Sequence, residues 1–209
     1  ADGANPRVLT ASFDRDISDP NWAGNGAIFF LFEDHGATKL GRVGVNGGAV
    51  TTLLSNVGGA DIGRPYTSGA YSVTASGRFA ANVTSAQRPG DVVVSAGGGV
   101  RTLTALNEDL LATKQIASAE HINAQSSADN RAIDAWIVRP PNFDPAQHYP
   151  LLLEIHGGPF AAYGPSFSAE VQMYAAAGYI VVYANPRGST SYGGEFGNLI
   201  HHNYPSQDY

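Results

Sequence analysis

Apolar and polar positions follow two different rhythms along this chain. Up to about residue 113, short β-prone runs alternate with turn residues. The runs include Ala27–Phe32, Leu40–Val45, Ala49–Leu54, Ala70–Thr74, Phe79–Thr84 and Asp91–Ser95. Between them sit Asp34-His35-Gly36, Asn46-Gly47-Gly48, Ser76-Gly77-Arg78 and Pro89-Gly90-Asp91, each suited to reversing a strand. Gly97-Gly98-Gly99 reads as one more hairpin turn. Short strands at even spacing predict a sandwich, a barrel or a propeller. They fall into about two groups of three to four strands, roughly 40 to 45 residues each, the size of one propeller blade per group.

From about residue 114 the rhythm changes. A hairpin is predicted from Glu120–Ala124 and Ala132–Val138, turning at Asp129-Asn130. The run Pro140-Pro141-Asn142-Phe143-Asp144-Pro145 makes a stiff connection. It leads to a strand over 150–155, whose aliphatic run predicts burial on both faces. A helix near 167–177 follows, with Phe167, Val171, Tyr174 and Ala175 on one face and Gly178 at its C-terminal cap. A strand over 179–184 closes the unit. Strand, helix, strand with aliphatic strands predicts a parallel pair with a crossover, the beginning of an α/β sheet. Two domains are therefore expected, residues 1–113 and 114–209.

Composition narrows the function classes. Of 209 residues, 43% are hydrophobic and 14% charged, enough to bury a sizeable core. Twelve basic against eighteen acidic residues give a net charge of −6, without any Lys/Arg cluster. Nucleic acid and an anionic membrane surface are therefore not expected as partners. The absence of cysteine removes disulfides, thiolate catalysis and cysteine-based zinc sites. It leaves the compartment open between cytoplasmic and periplasmic or secreted. No run approaches the roughly 20 apolar residues of a membrane span, and Ala1–Pro6 lacks the basic and apolar parts of a signal peptide.

Candidate chemistry gathers at two loops. The strand Leu151–Ile155 ends in His156-Gly157-Gly158-Pro159. Two glycines let backbone N–H groups approach a ligand closely, and such a loop supplies an oxyanion donor in α/β hydrolases. Gly158 N–H is the expected donor; Pro159 cannot donate but stiffens the turn. The same residues, taken alone, also fit a tight strand-to-helix turn with a buried histidine. The second loop, Asn185-Pro186-Arg187-Gly188-Ser189-Thr190-Ser191-Tyr192-Gly193-Gly194, follows the next strand at the carboxyl edge of the sheet, where ligands gather in open α/β folds. Arg187 could bind a substrate carboxylate or pin the loop by pairing with an acid. Ser189 and Ser191 lie outside any Gly-x-Ser-x-Gly and read as loop hydroxyls rather than nucleophiles.

Weaker signals are set aside. Asp14, Asp16 and Ser18 mimic the start of a calcium loop, but its sixth position is Asp19 and its twelfth Asn25, so it is rejected. His201-His202 with Asp208 lacks a metal-binding spacing, and adjacent histidines are expected to point apart. No metal and no cofactor is expected. Asn82-Val83-Thr84 fits a glycosylation sequon but lies in a predicted strand. Trp22 and Trp136 are expected to pack in their cores.

Three stretches together resemble the prolyl oligopeptidase family of serine peptidases, closest to its acylaminoacyl-peptidase and dipeptidyl-peptidase-like branch. They are Asp16–Trp22 with Asn25-Gly26, Leu152–Pro159, and Asn185–Ser189 with Tyr192-Gly193. The resemblance implies the last blades of a β-propeller followed by the N-terminal part of an α/β-hydrolase domain. It implies cleavage of short peptides by a Ser-His-Asp triad, with the propeller restricting access. Gly158 N–H matches one oxyanion donor. His156 stands where some relatives carry a tyrosine that helps hold the oxyanion, so it is a candidate for supporting that role. The family's nucleophile and the triad Asp and His lie downstream of the second loop, so no triad member is expected in this chain, and Asp134 and His121 are not candidates. The expected partners are a peptide substrate, the remaining segments of the same enzyme, and a second copy in a homo-oligomer. The expectation is thus an internal fragment, inactive alone, of a serine peptidase. A carboxylesterase on the same scaffold and a non-catalytic propeller module are the alternatives.

Overall fold

The computed structural model describes residues 5–24 and 26–208. Asn25, part of one motif and of the rejected calcium loop, lies outside them, as does the start of the N-terminal stretch.

The first part of the chain forms two four-stranded antiparallel meanders. The first comprises β1 (Ile17–Ala23), β2 (Ala27–Asp34), β3 (Ala37–Gly44) and β4 (Thr51–Val57). The second comprises β5 (Tyr71–Val73), β6 (Phe79–Ser85), β7 (Arg88–Ala96) and β8 (Gly99–Thr102). One pairing, Val57 with Val83, joins β4 to β6 and makes the two meanders a continuous sheet. β2 sits at the centre because both of its faces are apolar: Phe29 and Leu31 pack with Leu40, Val57 and Phe79, while Phe30 and Phe32 pack with Val43 on the other side. That alternation is the two-residue strand period with both faces covered.

A short helical turn, α1 (Glu108–Leu111), leads to the second sheet. This sheet contains β9 (Ala119–Gln125), β10 (Ala132–Val138), β11 (Leu151–Glu154) and β12 (Ile180–Ala184), in the order β11-β12-β10-β9. β11 and β12 are parallel; the other pairs are antiparallel. The crossover from β11 to β12 carries α2 (Ala169–Ala176), capped at its start by the Ser168 hydroxyl, which accepts the Val171 N–H. Val171 and Ala175 of α2 join Trp136, Val138, Tyr163, Val181 and Tyr183 in the core of this part. A helical turn, α3 (Gly194–Gly197), follows β12 and runs into a 3₁₀ turn at Asn198–Ile200.

Three expectations are corrected here, and β1 is a strand that the runs read from sequence did not include. Pro89 and Gly90 lie inside β7, and the reversal is made by Ala86 and Gln87. Proline is tolerated there because the β6–β7 register shifts between Val83 and Ser85, a bulge that spares a ladder bond. β1 is a strand despite Asp19-Pro20-Asn21, since its register also shifts between Ser18 and Asn21. Trp22, on that edge strand, is 68% exposed, whereas Trp136 is 3% exposed and stacks on Tyr183. β11 is not buried on both faces: Leu151 is 60% exposed and Leu153 58%, because β11 is the edge of its sheet and one of its faces is bare.

Candidate oxyanion site at the carboxyl edge of the second sheet

β11 delivers the chain to His156-Gly157-Gly158-Pro159, and β12 delivers it to the 185–194 loop beside it. Parallel pairing puts both strand ends on one edge, as Leu151 pairs with Ile180 and Glu154 with Tyr183. Asn185 and Thr190 tie the loops together. Asn185, fully buried, accepts the Tyr163 N–H at 2.8 Å and donates to the Tyr163 carbonyl at 2.8 Å. The Thr190 N–H donates to the Ala161 carbonyl at 3.0 Å. The Asn185 amide thus mimics a strand neighbour for the backbone after the glycines, a role that its place in the motif did not disclose.

The two glycine amides have different fates. The Gly157 N–H donates to the Tyr66 hydroxyl at 2.9 Å. The Gly158 N–H has no acceptor among the described residues, and the residue is exposed. Gly158 has φ +155°, and a Cβ there would lie 2.8 Å from the Phe160 nitrogen, so a side chain would disturb the turn. One backbone donor therefore stands free at the sheet edge, at the position named from sequence.

His156 is 9% exposed, and its ring turns inward. Nε2 lies 3.0 Å from the Ser189 hydroxyl and Nδ1 3.1 Å from the Gly157 carbonyl, while Tyr66 and Tyr163 pack edge-on against the ring. Burial pushes its pKa below the ordinary histidine value, partly opposed by the Gly157 carbonyl. With Nε2 facing the Ser189 hydroxyl inside the protein, the ring packs beneath the loop.

Arg187 pairs with Asp129 and is largely buried. The Arg187 hydrogen bond, acting against burial and helped by Arg131, holds the Asp129 carboxyl at about 2. Through Nη1 the guanidinium pins the loop to the β9–β10 turn. Ser189 donates to the Pro186 carbonyl at 2.7 Å, and the Ser191 hydroxyl accepts the Gly36 N–H at 2.7 Å. Both serines are buried structural hydroxyls. His121 and Asp134 do pair, at 2.9 Å across β9 and β10, but no hydroxyl is hydrogen-bonded to His121 among the described residues. The rings of His201 and His202 stack 4.0 Å apart instead of diverging, because His202 has φ +58° and doubles the chain back.

The site draws on the first sheet as well. Residues 62–67, between the two meanders, run beside the loop: Gly164 N–H donates to the Pro65 carbonyl and Thr67 N–H to the Ala162 carbonyl, and Tyr66 pairs with Tyr163 as an isolated antiparallel bridge. Arg64 bridges Glu154, at the end of β11, and Glu170, at the start of α2.

With this geometry in place, similarity to known proteins becomes informative. Residues 165–209 match the model of the prolyl oligopeptidase family. The chain is 38% identical over 132 residues to the uncharacterized peptidase YuxL of Bacillus subtilis, covering 63% of this chain and 20% of that protein. The end of the chain is thus similar to the prolyl oligopeptidase family. A probable dipeptidyl-peptidase 5 of Aspergillus clavatus is 34% identical over 114 residues, 54% of this chain and 16% of its own length. Acylaminoacyl peptidase of Pyrococcus horikoshii superposes with a TM-score of 0.80 at 23% identity, over 97% of this chain and 30% of that one. That likeness extends across both sheets, so the β part and the α/β part share one fold with a stretch of that structure. The chain spans a fifth or less of the length of these two curated relatives.

Proposed function

We propose that this chain is part of a serine peptidase of the prolyl oligopeptidase family that cleaves short peptides by acyl transfer, and that it supplies one oxyanion donor, Gly158 N–H. The observation that carries this reading is the free, exposed Gly158 amide at the end of β11, beside a neighbouring amide already claimed by Tyr66. A tetrahedral intermediate places negative charge on the former carbonyl oxygen, and one preorganised donor there contributes about 10²- to 10³-fold in kcat. The nucleophile, its base and its orienting acid come from residues outside this chain. In this reading, residues 1–113 are two propeller blades and 114–209 the start of the hydrolase domain; the two meanders support the first assignment and the β9-to-β12 sheet the second.

The peptide substrate and the remaining segments of the enzyme are then the partners. The decisive experiment treats the protein that carries this chain with a fluorophosphonate probe and maps the labelled serine by mass spectrometry. The expected label falls on a serine outside residues 1–209; no labelled serine anywhere, or label on Ser189 or Ser191, refutes the reading. Turnover of peptide amides against p-nitrophenyl esters separates a peptidase from an esterase, and hydrolysis of esters alone would reject the peptide substrate.

A further inference from the structure

We propose that Tyr66, contributed by the β-rich first part of the chain, is the positioning residue of the oxyanion loop. Two consecutive glycines leave the loop backbone many conformations, so something must decide which amide faces out. The Tyr66 oxygen makes that choice: it accepts the Gly157 N–H at 2.9 Å, across 91 residues of sequence. The adjacent Gly158 N–H is then the one left for a ligand.

The phenol is held firmly enough to impose this geometry. Its ring packs against Tyr163 with centroids 4.7 Å apart and against His156 at 6.4 Å. Its backbone neighbours are bonded on both sides, Pro65 to Gly164 at 2.8 Å and Thr67 to Ala162 at 3.0 Å. One step earlier, the carbonyls of Ile62 and Gly63 accept the first free amides of α2, from Ala169 at 2.7 Å and Glu170 at 3.2 Å. Those donors have no partner within the helix. The segment therefore spans from the start of α2 to the loop, with Tyr66 at its loop end. A donor fixed beforehand needs no reorganisation when charge develops, which is the basis of oxyanion stabilisation.

The catalytic consequence rests on the peptidase reading; the structural one does not. Tyr66→Phe keeps the ring and removes only the acceptor. In the protein that carries this chain, hydrogen–deuterium exchange resolved to Gly157 should accelerate about ten-fold, the net worth of one neutral hydrogen bond. On short peptide amides, kcat should fall by about ten-fold while KM stays within about two-fold, the signature of an interaction needed only in the transition state. A merely structural role would lower the melting temperature and leave kcat per folded molecule unchanged. Unchanged Gly157 exchange overturns the proposal, and so does faster exchange with an unchanged kcat. If the wild-type protein hydrolyses no peptide, the peptidase reading fails, and the exchange result alone then decides the role of Tyr66.

Discussion

The β2–β3 turn is the point at which the two sheets are locked together, and Gly36 is its most constrained residue. His35 and Gly36 have φ of +50° and +72°, the pair of positive values a tight hairpin turn requires. The turn is inserted into the α/β part. The His35 N–H donates to the Ser191 carbonyl at 3.0 Å and the Gly36 N–H to the Ser191 hydroxyl at 2.7 Å. A Cβ on Gly36 would lie 2.6 Å from the Tyr163 carbonyl oxygen and 2.8 Å from the Trp136 ring. Gly36→Ala therefore carries two costs: about 1–2 kcal/mol for a left-handed alanine, and about 1–3 kcal/mol for overpacking. Gly97→Ala isolates the first, because Gly97 has φ +57° and nothing within 4 Å of its added carbon. The two variants should differ by about 1–3 kcal/mol, which at an ordinary urea dependence is a midpoint difference of about 1 M. Gly164→Ala, whose Cβ would meet the Gly36 carbonyl at 1.7 Å, should be at least as damaging as Gly36→Ala. Equal urea midpoints for Gly36→Ala and Gly97→Ala would refute the interlocked turn.

Three further outcomes are expected. Trp136→Ala, deleting a 3% exposed ring stacked on Tyr183, should cost about 3–5 kcal/mol in urea unfolding; Trp22→Ala should stay within about 0.5 kcal/mol. Asp34 should make stability depend on acid pH. Its burial alone would raise its pKa, but hydrogen bonds from Lys39, Arg15 and His35 hold the carboxyl well below its reference 3.8. A folded-state value below the unfolded one gives stability that is present above about 3.8 and lost as pH falls below it. Melting temperatures of wild type and Asp34→Asn should thus be furthest apart above pH 5 and converge toward pH 2; a constant gap would reject the pairing. Arg187→Ala should leave KM for short peptides within about two-fold, since its largely buried guanidinium is anchored to Asp129 through Nη1; a rise above about ten-fold would assign Arg187 to substrate binding.

What could be read in advance follows from where the information lies. β2 was legible as an uninterrupted apolar run that fills a core, and β3 and β6 as β-prone runs whose apolar positions, Leu40, Val43 and Phe79, reach it. α2 was legible from Val171, Ala175 and the positive φ demanded of Gly178. β1 was hidden by Asp19-Pro20-Asn21, since a bulged edge strand tolerates residues that a central strand would not. An aliphatic run also cannot report whether its second face finds a cover within this chain, so β11 looked buried on both faces although Leu151 and Leu153 are exposed. Within the site, the glycine loop announced itself through the residues it lacks, side chains that would block a ligand. The supports did not. Tyr66 and Asn185 act through a single atom or amide on backbone far away in sequence, and no local spacing encodes such a contact.

The same asymmetry bears on how the site is assembled. The second sheet builds the loop, but the first part of the chain accepts its bonds: Pro65 takes the buried Gly164 N–H, Gly63 the buried Ser168 hydroxyl, and Tyr66 the Gly157 N–H. Were the first part removed, the two buried donors would each lose a partner, at about 1–3 kcal/mol apiece where water cannot replace it. That total is comparable to a sizeable fraction of the stability of an ordinary domain. The α/β part therefore does not hold the His156–Pro159 loop in place by itself. The β-rich part does so through the carbonyls of Gly63 and Pro65 and the Tyr66 hydroxyl.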